Sequence, residues 1–225
     1  MKLNFQKSLS EFKYLLCFDL AKFETGISLI NIERLDSPHI INVYQISVDK
    51  KTEDPFGEFY DKLQDFFKKL KEQINFNDVL IVREKQPQGF NVATTISTLQ
   101  ALAGVHAILS VAAHQYDLYE YEDGIHASSV KAWARHKLEI DKPQKEDIQK
   151  FLFREFPYLI VKQPTYDITD SIALAICLIE EKWNNDLKDI IKQEKKHLKE
   201  LKLQRAIIKQ QEKIQDLENK QINTQ

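Results

Sequence analysis

Four carboxylates in this sequence stand where short apolar runs end or begin. Asp19 closes one such run, and Glu84 follows another. Asp167 and Asp170 open a later apolar segment, and residues three positions apart project from the same face of a helix, here at its positive end. Carboxylates held close together repel one another unless cations neutralise them, and hard oxygen ligands suit Mg²⁺ or Mn²⁺. These four acids, called the acidic cluster below, therefore predict a divalent metal site.

The elements around these acids are predicted from two hydrophobic periods. Apolar and alternating runs predict strands over residues 14–19, 25–32, 40–48, 79–82 and 116–121. Helical spacing predicts helices over residues 55–74, 91–113, 128–136, 143–156 and 167–183. Three adjacent antiparallel strands followed by strands that alternate with helices predict an α/β fold, a mixed sheet flanked by helices. In such a fold all four acids can meet at one edge of the sheet, although solvation or helix capping explains each of them singly.

The composition excludes several classes of protein. The chain has 225 residues, 43% of them hydrophobic, with 32 Lys and Arg against 34 Asp and Glu and a formal net charge of -2. Two cysteines, Cys17 and Cys177, are too few for a disulfide framework, and both are expected to be buried and reduced. The sequence contains no P-loop, Cys-x-x-Cys or Gly-x-Gly-x-x-Gly motif, so no zinc, nucleotide or dinucleotide site is predicted. Because no run of about 18 apolar residues occurs, we expect a cytoplasmic protein without a membrane span.

The last 45 residues differ from the rest. Residues 181–225 contain 11 Lys and Arg against 8 Asp and Glu, a net charge of +3, which leaves -5 for residues 1–180. This tail has no Gly or Pro and is predicted to be helical. Its apolar positions follow a heptad seam that Glu194 and Arg205 interrupt, so a short coiled coil, a helix packed on the main domain and a solvated helix all remain open. We expect three segments: 1–13, a main domain over 14–183, and a charged helical extension over 184–225.

Three motifs around the acidic cluster resemble those of the RuvC-like Holliday junction resolvases of the RNase H-like superfamily. Residues 17–20 and 25–28 (Cys-Phe-Asp-Leu and Thr-Gly-Ile-Ser) are similar to the opening strand and hairpin of the family. Residues 81–86 (Ile-Val-Arg-Glu-Lys-Gln) are similar to its second acidic motif. Residues 167–175 are similar to its closing Asp-x-x-Asp-Ala-Leu-Ala helix, which is the most specific of the three. The resemblance covers about residues 14–180 and implies an RNase H-like fold.

The resemblance also implies an activity and a set of ligands. Asp19, Glu84, Asp167 and Asp170 become catalytic ligands of two Mg²⁺ ions, for which Mn²⁺ substitutes, and Lys145 lies near the scissile phosphate. The implied reaction is metal-assisted phosphodiester hydrolysis that nicks a four-way or otherwise branched DNA junction and leaves 5′-phosphate and 3′-hydroxyl ends. Symmetric resolution implies a homodimer, and the small-residue helix over 91–113 is the candidate interface. No membrane and no nucleotide cofactor are implied.

Further residues are candidates for contact with DNA. They fall in the loop after Glu84 and in the stretch where the family carries basic residues, and they are Lys85, Gln86, Gln88, Phe90, Asn91, Lys131 and Lys142.

The sequence departs from the family pattern in two places. Asp19 is followed by Leu-Ala-Lys-Phe-Glu in place of a tight Asp-Pro-Gly turn, and the chain carries a long tail. Two alternatives stay open: another RNase H-like nuclease that cuts RNA–DNA hybrids or flaps, and a non-catalytic DNA-binding or assembly protein.

Overall fold

The computed structural model describes residues 9–86, 95–121, 124–162 and 164–222 of the chain, which divides into two compact units, Met1–Glu180 and Glu181–Gln225. The strands are β1 (Tyr14–Asp19), β2 (Glu24–Asn31), β3 (His39–Ser47), β4 (Val79–Arg83) and β5 (Tyr119–Glu120). The helices are α1 (Pro55–Lys71), α2 (Ile96–Gln115), α3 (Ala127–Leu138), α4 (Lys145–Glu155), α5 (Leu159–Lys162) and α6 (Tyr166–Ile222).

The five strands form one mixed sheet in the order β3-β2-β1-β4-β5. β1 pairs antiparallel with β2, and β2 pairs antiparallel with β3. β1 and β4 are parallel neighbours, as are β4 and β5. The predicted combination of three antiparallel strands followed by parallel ones is therefore confirmed.

Helices cover both faces of the sheet, and the alternation of side chains along each strand decides which residues face which layer. Leu15 and Cys17 of β1 and Leu80 and Val82 of β4 pack in the cluster formed with α4, α5 and α6. Their neighbours in sequence pack instead against α1 and α2, in a second cluster. Asp19 and Glu84 lie two residues beyond Cys17 and Val82 and therefore project from the same face of the sheet. Both acids are thus on the side of the sheet that α6 covers.

A polar network holds α2 against the parallel strands. The Arg83 guanidinium donates to the His106 carbonyl oxygen at 2.8 Å and to Ser110 Oγ at 2.9 Å, and it pairs with the Glu120 carboxylate at 2.9 Å. Among the described helices, α2 is the one long and apolar enough to cross a membrane by length and composition. Core helices of water-soluble proteins meet the same criterion, and Val105 and Leu109 of α2 are fully buried in the second cluster.

Three predicted boundaries were wrong. The last helix does not end near residue 183: α6 continues to Ile222, because nothing between these points interrupts it with Gly or Pro. The strand predicted over 116–121 shrinks to Tyr119–Glu120, because Tyr116 caps α2 and Asp117 has a positive φ of 54°. The helix predicted over 91–113 runs from Ile96 to Gln115, and residues 91–94 lie outside the described residues. Both cysteines are free and buried, as expected.

Candidate active site

Asp19 and Glu84 lie side by side at one edge of the sheet. The parallel register of β1 and β4 ends with Phe18 opposite Arg83, so the next residue of each strand is one of the two acids. Glu84 forms a bridge with Ile125, whose N–H donates to the Arg83 carbonyl at 2.9 Å. The same Ile125 carbonyl accepts from the Lys85 N–H at 2.7 Å, which fixes the backbone on both sides of Glu84.

The first turn of α6 brings Asp167 and Asp170 to the same edge. Both side chains are half-buried, whereas the helix behind them is almost entirely buried from Ile168 to Ile179. The approach depends on Gly26, which pairs with Asp19 across β1 and β2. A Cβ atom at this position would overlap the backbone carbonyl group of Asp167. A side chain at residue 26 would therefore push the helix, and its two acids, away from the sheet.

The four carboxylates interact electrostatically. Burial raises the pKa of Asp19 to about 7, and the charge of Asp170 adds to this effect. Lys145 acts in the opposite direction, while Glu84 and Asp167 raise the pKa further. The pKa of Asp19 therefore responds to the charge of every other member of the acidic cluster.

Two other members of the cluster are also harder to ionise than usual. Burial raises the pKa of Glu84, with a contribution from Asp170, while Lys131 and Lys145 oppose it. Burial likewise raises the pKa of Asp167, against the opposing charge of Lys145. The negative charge of Glu24 adds to this increase. Glu24, the exposed first residue of β2, is an acid near the site that the sequence analysis missed, although its place two residues before Gly26 was a usable signal.

Lys145 is the cation nearest to the acidic cluster. Its Nζ donates to Asp170 Oδ2 at 2.5 Å, which joins the first residue of α4 to the first turn of α6. The Tyr166 hydroxyl donates to Glu146 Oε1 at 3.2 Å and reinforces this junction. Burial alone lowers the pKa of Lys145, but the hydrogen bond and charge of Asp170 outweigh this effect and raise it. The side chain is therefore protonated and positively charged at neutral pH.

Two of the other predicted contact residues, Lys131 and Lys85, lie beside the acidic cluster. Lys131, exposed on α3, is close enough to stabilise the ionised form of Glu84. Lys85 is half-buried beside the cluster and Gln86 is exposed. Lys142 is exposed in the loop between α3 and α4, where its carbonyl accepts from Gln144 Nε2 at 3.1 Å. The remaining candidates, Gln88, Phe90 and Asn91, lie outside the described residues.

The acidic cluster fits a divalent cation by its chemistry more closely than by its present spacing. All four candidate ligands are carboxylates, and a cation would relieve the repulsion that contributes to the raised pKa of Asp19. Within the described residues, however, no group of three or more His, Cys, Asp or Glu side chains is arranged to hold a metal ion. Asp170 is paired with Lys145 instead. The described spacing of these side chains would have to change to hold a metal ion, and a cation that used Asp170 Oδ2 would have to displace the Lys145 ammonium.

Comparison with solved structures identifies the fold. The chain is similar to Thermus thermophilus RuvC in complex with a Holliday junction substrate, with a TM-score of 0.54 and 11% identity over 73% of this chain and 91% of that one. It is also similar to the yeast mitochondrial Holliday junction resolvase, with a TM-score of 0.54 and 15% identity over 80% of this chain and 81% of that one. No family model and no curated protein matches the amino-acid sequence. The predicted RNase H-like α/β fold is thereby confirmed.

Proposed function

We propose that this protein is a metal-dependent nuclease that nicks branched DNA, with four-way junctions as its principal substrate. The observation that supports this proposal is geometric: Asp19 and Glu84 occupy neighbouring positions at the ends of β1 and β4, and the start of α6, which carries Asp167 and Asp170, contacts Gly26 beside Asp19. The motif resemblance and the fold shared with two resolvases support the choice of substrate. Asp19, the last residue of β1, lies beside Glu84 and near the first turn of α6, and it would be one of the ligands of the divalent cations.

The chain's own residues divide the work of the proposed reaction. The acidic cluster would hold the divalent cations, which when bound would supply an activated water and stabilise the leaving 3′ oxygen. Lys145 moves from Asp170 to the scissile phosphate and stabilises its developing negative charge. Lys131, Lys85, Gln86 and Lys142 hold the DNA near the cluster through phosphate and polar contacts.

We further propose a two-fold dimer, because symmetric resolution of a four-way junction requires two cuts in strands of the same polarity. The contact is assigned to α2, which leaves Ile96 62% and Val111 53% exposed. Sedimentation of the protein alone and with a junction tests this assignment. Replacement of Val111 by Glu is expected to yield monomers, and an unchanged dimer would contradict the role of α2.

The decisive experiment compares a mobile four-way junction, a linear duplex and an RNA–DNA hybrid, each incubated with the protein and Mg²⁺. We expect paired symmetric nicks in the junction alone, with 5′-phosphate ends, and their loss in Asp167→Asn. The matched control is Asp61→Asn, the same chemical change at an exposed position of α1, which should cut like the wild type. Cutting of the hybrid, or of a flap substrate added to the same assay, would assign the site to another RNase H-like nuclease.

A non-catalytic DNA-binding protein is the second candidate, favoured by the ion pair between Lys145 and Asp170. This pair neutralises part of the acidic cluster without any metal ion. Tight junction binding with no cutting in Mg²⁺ or Mn²⁺, and with equal affinity in Asp167→Asn, would establish this second function.

A further inference from the structure

The part of α6 that lies in the unit Glu181–Gln225 carries a stripe of lysines. Lys188, Lys192, Lys195 and Lys199 are spaced by four, three and four residues, which places them within about 60° of one another around a helix. All four are exposed, as is every residue from 191 to 200. In the sequence, Lys202, Lys209 and Lys213 continue the same spacing along the helical backbone. We call these seven residues the lysine stripe.

The acids of this segment avoid the stripe. Asp189, Glu194 and Glu200 lie about 100° or more from its centre around the helix. Within the described residues, no ion pair includes the four exposed lysines. Like charges at i and i+4, such as Lys188 with Lys192 and Lys195 with Lys199, destabilise a helix by about 0.2–0.5 kcal/mol per pair. A bound polyanion would remove this repulsion.

The dimensions and charge of the stripe match duplex DNA. From Lys188 to Lys213 the helix rises about 37 Å at about 1.5 Å per residue, close to the length of one turn of B-DNA, about 34–36 Å. Residues 187–213 contain 9 Lys and Arg against 4 Asp and Glu, a net charge of +5, whereas residues 1–180 carry -5. The positive charge that a DNA-binding protein needs is thus concentrated in this helix.

A membrane surface is a poorer match. Basic helices that lie on membranes carry a broad apolar face, commonly with Trp or Phe. Here Ile191 and Leu198 are exposed by 51% and 53%, but Glu194 lies between them, and residues 184–222 contain no Trp, Tyr or Phe.

We propose that the lysine stripe binds the phosphate backbone of a duplex arm, independently of base sequence. This inference rests on the proposed function only in taking DNA as the partner. Bound counterions are released when lysines neutralise phosphates, so the affinity is expected to fall steeply as salt concentration rises. The lysine stripe would therefore attract any DNA duplex electrostatically, and the main unit would select branched substrates.

The test measures the affinity of the full chain for a fluorescent 30-base-pair linear duplex in EDTA, at several KCl concentrations. The stripe variant replaces Lys188, Lys192, Lys195 and Lys199 with Gln, which keeps the helix propensity. We expect Kd at about 100 mM KCl to rise at least tenfold and the slope of log K against log salt to fall by about 3–4. The matched control replaces four exposed lysines of the main unit, Lys50, Lys51, Lys68 and Lys69, with Gln, and it should keep the wild-type slope. Replacement of the stripe lysines by Arg should retain binding.

The outcomes separate this inference from the proposed function. A stripe variant that binds the duplex like the wild type overturns the inference, and does so whether or not it still nicks junctions. A wild-type chain that binds the duplex through the stripe but never nicks a junction supports the inference and contradicts the proposed function. If the stripe variant lost binding to phosphatidylserine vesicles but bound the duplex like the wild type, the inference would be overturned in favour of a membrane.

Discussion

Gly26 and Asp167 lie in direct backbone contact: a Cβ atom at Gly26 would overlap the carbonyl group of Asp167. Gly26 is also the residue of β2 that pairs with Asp19. The glycine therefore fixes the separation between the sheet acids and the helix acids. Because the obstructing atoms belong to the backbone, the contact cannot be relieved by rotation of a side chain.

The first prediction follows from this contact. Gly26→Ala should displace the start of α6, lower the free energy of unfolding by about 1–3 kcal/mol, and reduce nicking by about 100-fold, because small displacements of catalytic groups are costly. Urea unfolding and single-turnover nicking measure the two effects.

The control is Ser28→Ala on the same face of β2, since Ser28 Oγ is buried without a hydrogen-bond partner in the described structure. This control should be as stable as the wild type or more so. Wild-type cutting by Gly26→Ala would rule out the glycine as a determinant of the site.

The second prediction concerns the competition between Lys145 and a metal ion for Asp170. In Lys145→Gln the Asp170 carboxylate loses its ion pair with the lysine ammonium, so Mg²⁺ should bind several-fold more tightly, as measured by calorimetry. Nicking should fall by about 10–100-fold, because the lysine no longer stabilises the phosphate. The free energy of unfolding should change by less than about 1 kcal/mol, because the Lys145 side chain is 56% exposed. Lys150→Gln, an exposed position on the same helix, is the control. Weaker Mg²⁺ binding in Lys145→Gln would mean that the lysine organises the site instead of competing for it.

Local pattern in the sequence was enough to predict most elements and to single out the four acids. Alternation along β1 and β4 places Asp19 and Glu84 on one face once the strands are known, and the three-residue spacing of Asp167 and Asp170 places that pair on one helix face. The motif resemblance then linked the two pairs.

The remaining contacts depend on packing between distant segments. Lys145 and Asp170 are 25 positions apart and meet because α4 packs beside α6, which no periodicity encodes. The nearness of Glu24 depends on the Gly26 contact in the same way. The boundary of the last helix was misplaced for a different reason: its densely apolar part ends near residue 183, whereas the tail beyond it, itself predicted to be helical, continues the same helix.

The third prediction concerns acid stability. His106 on α2 is 8% exposed, and burial, aided by the charge of Arg83, lowers its pKa to about 4. Between this value and the unfolded value of about 6.5 the unfolded chain binds more protons, so the stabilising contribution is present above about pH 6.5 and is lost as the pH falls toward 4. The free energy of unfolding of His106→Leu should therefore depend less on pH across this interval, by on the order of 1–3 kcal/mol. His114→Gln, exposed on the same helix, should keep the wild-type dependence, and equal slopes for all three proteins would refute the assignment.

The fourth prediction uses the opposite sign at Asp19, whose pKa is raised to about 7 by burial and by Asp170. The folded state holds this proton more tightly than the unfolded chain, whose value is 3.8, so without metal the protein loses stability as the pH rises from about 4 to 7. In EDTA, Asp19→Asn should therefore unfold at higher urea than the wild type at pH 8, with an advantage on the order of 2 kcal/mol larger than at pH 5.

Added Mg²⁺ should stabilise the wild type but not the variant, because only the ionised carboxylate is a ligand, and nicking should increase from pH 6 to 8. Asp61→Asn should behave like the wild type: it should gain no stability at pH 8 in EDTA, and Mg²⁺ should still stabilise it. A variant that is less stable than the wild type at pH 8 in EDTA would show that the Asp19 carboxylate is stabilised by its surroundings, and that the acidic cluster does not repel itself.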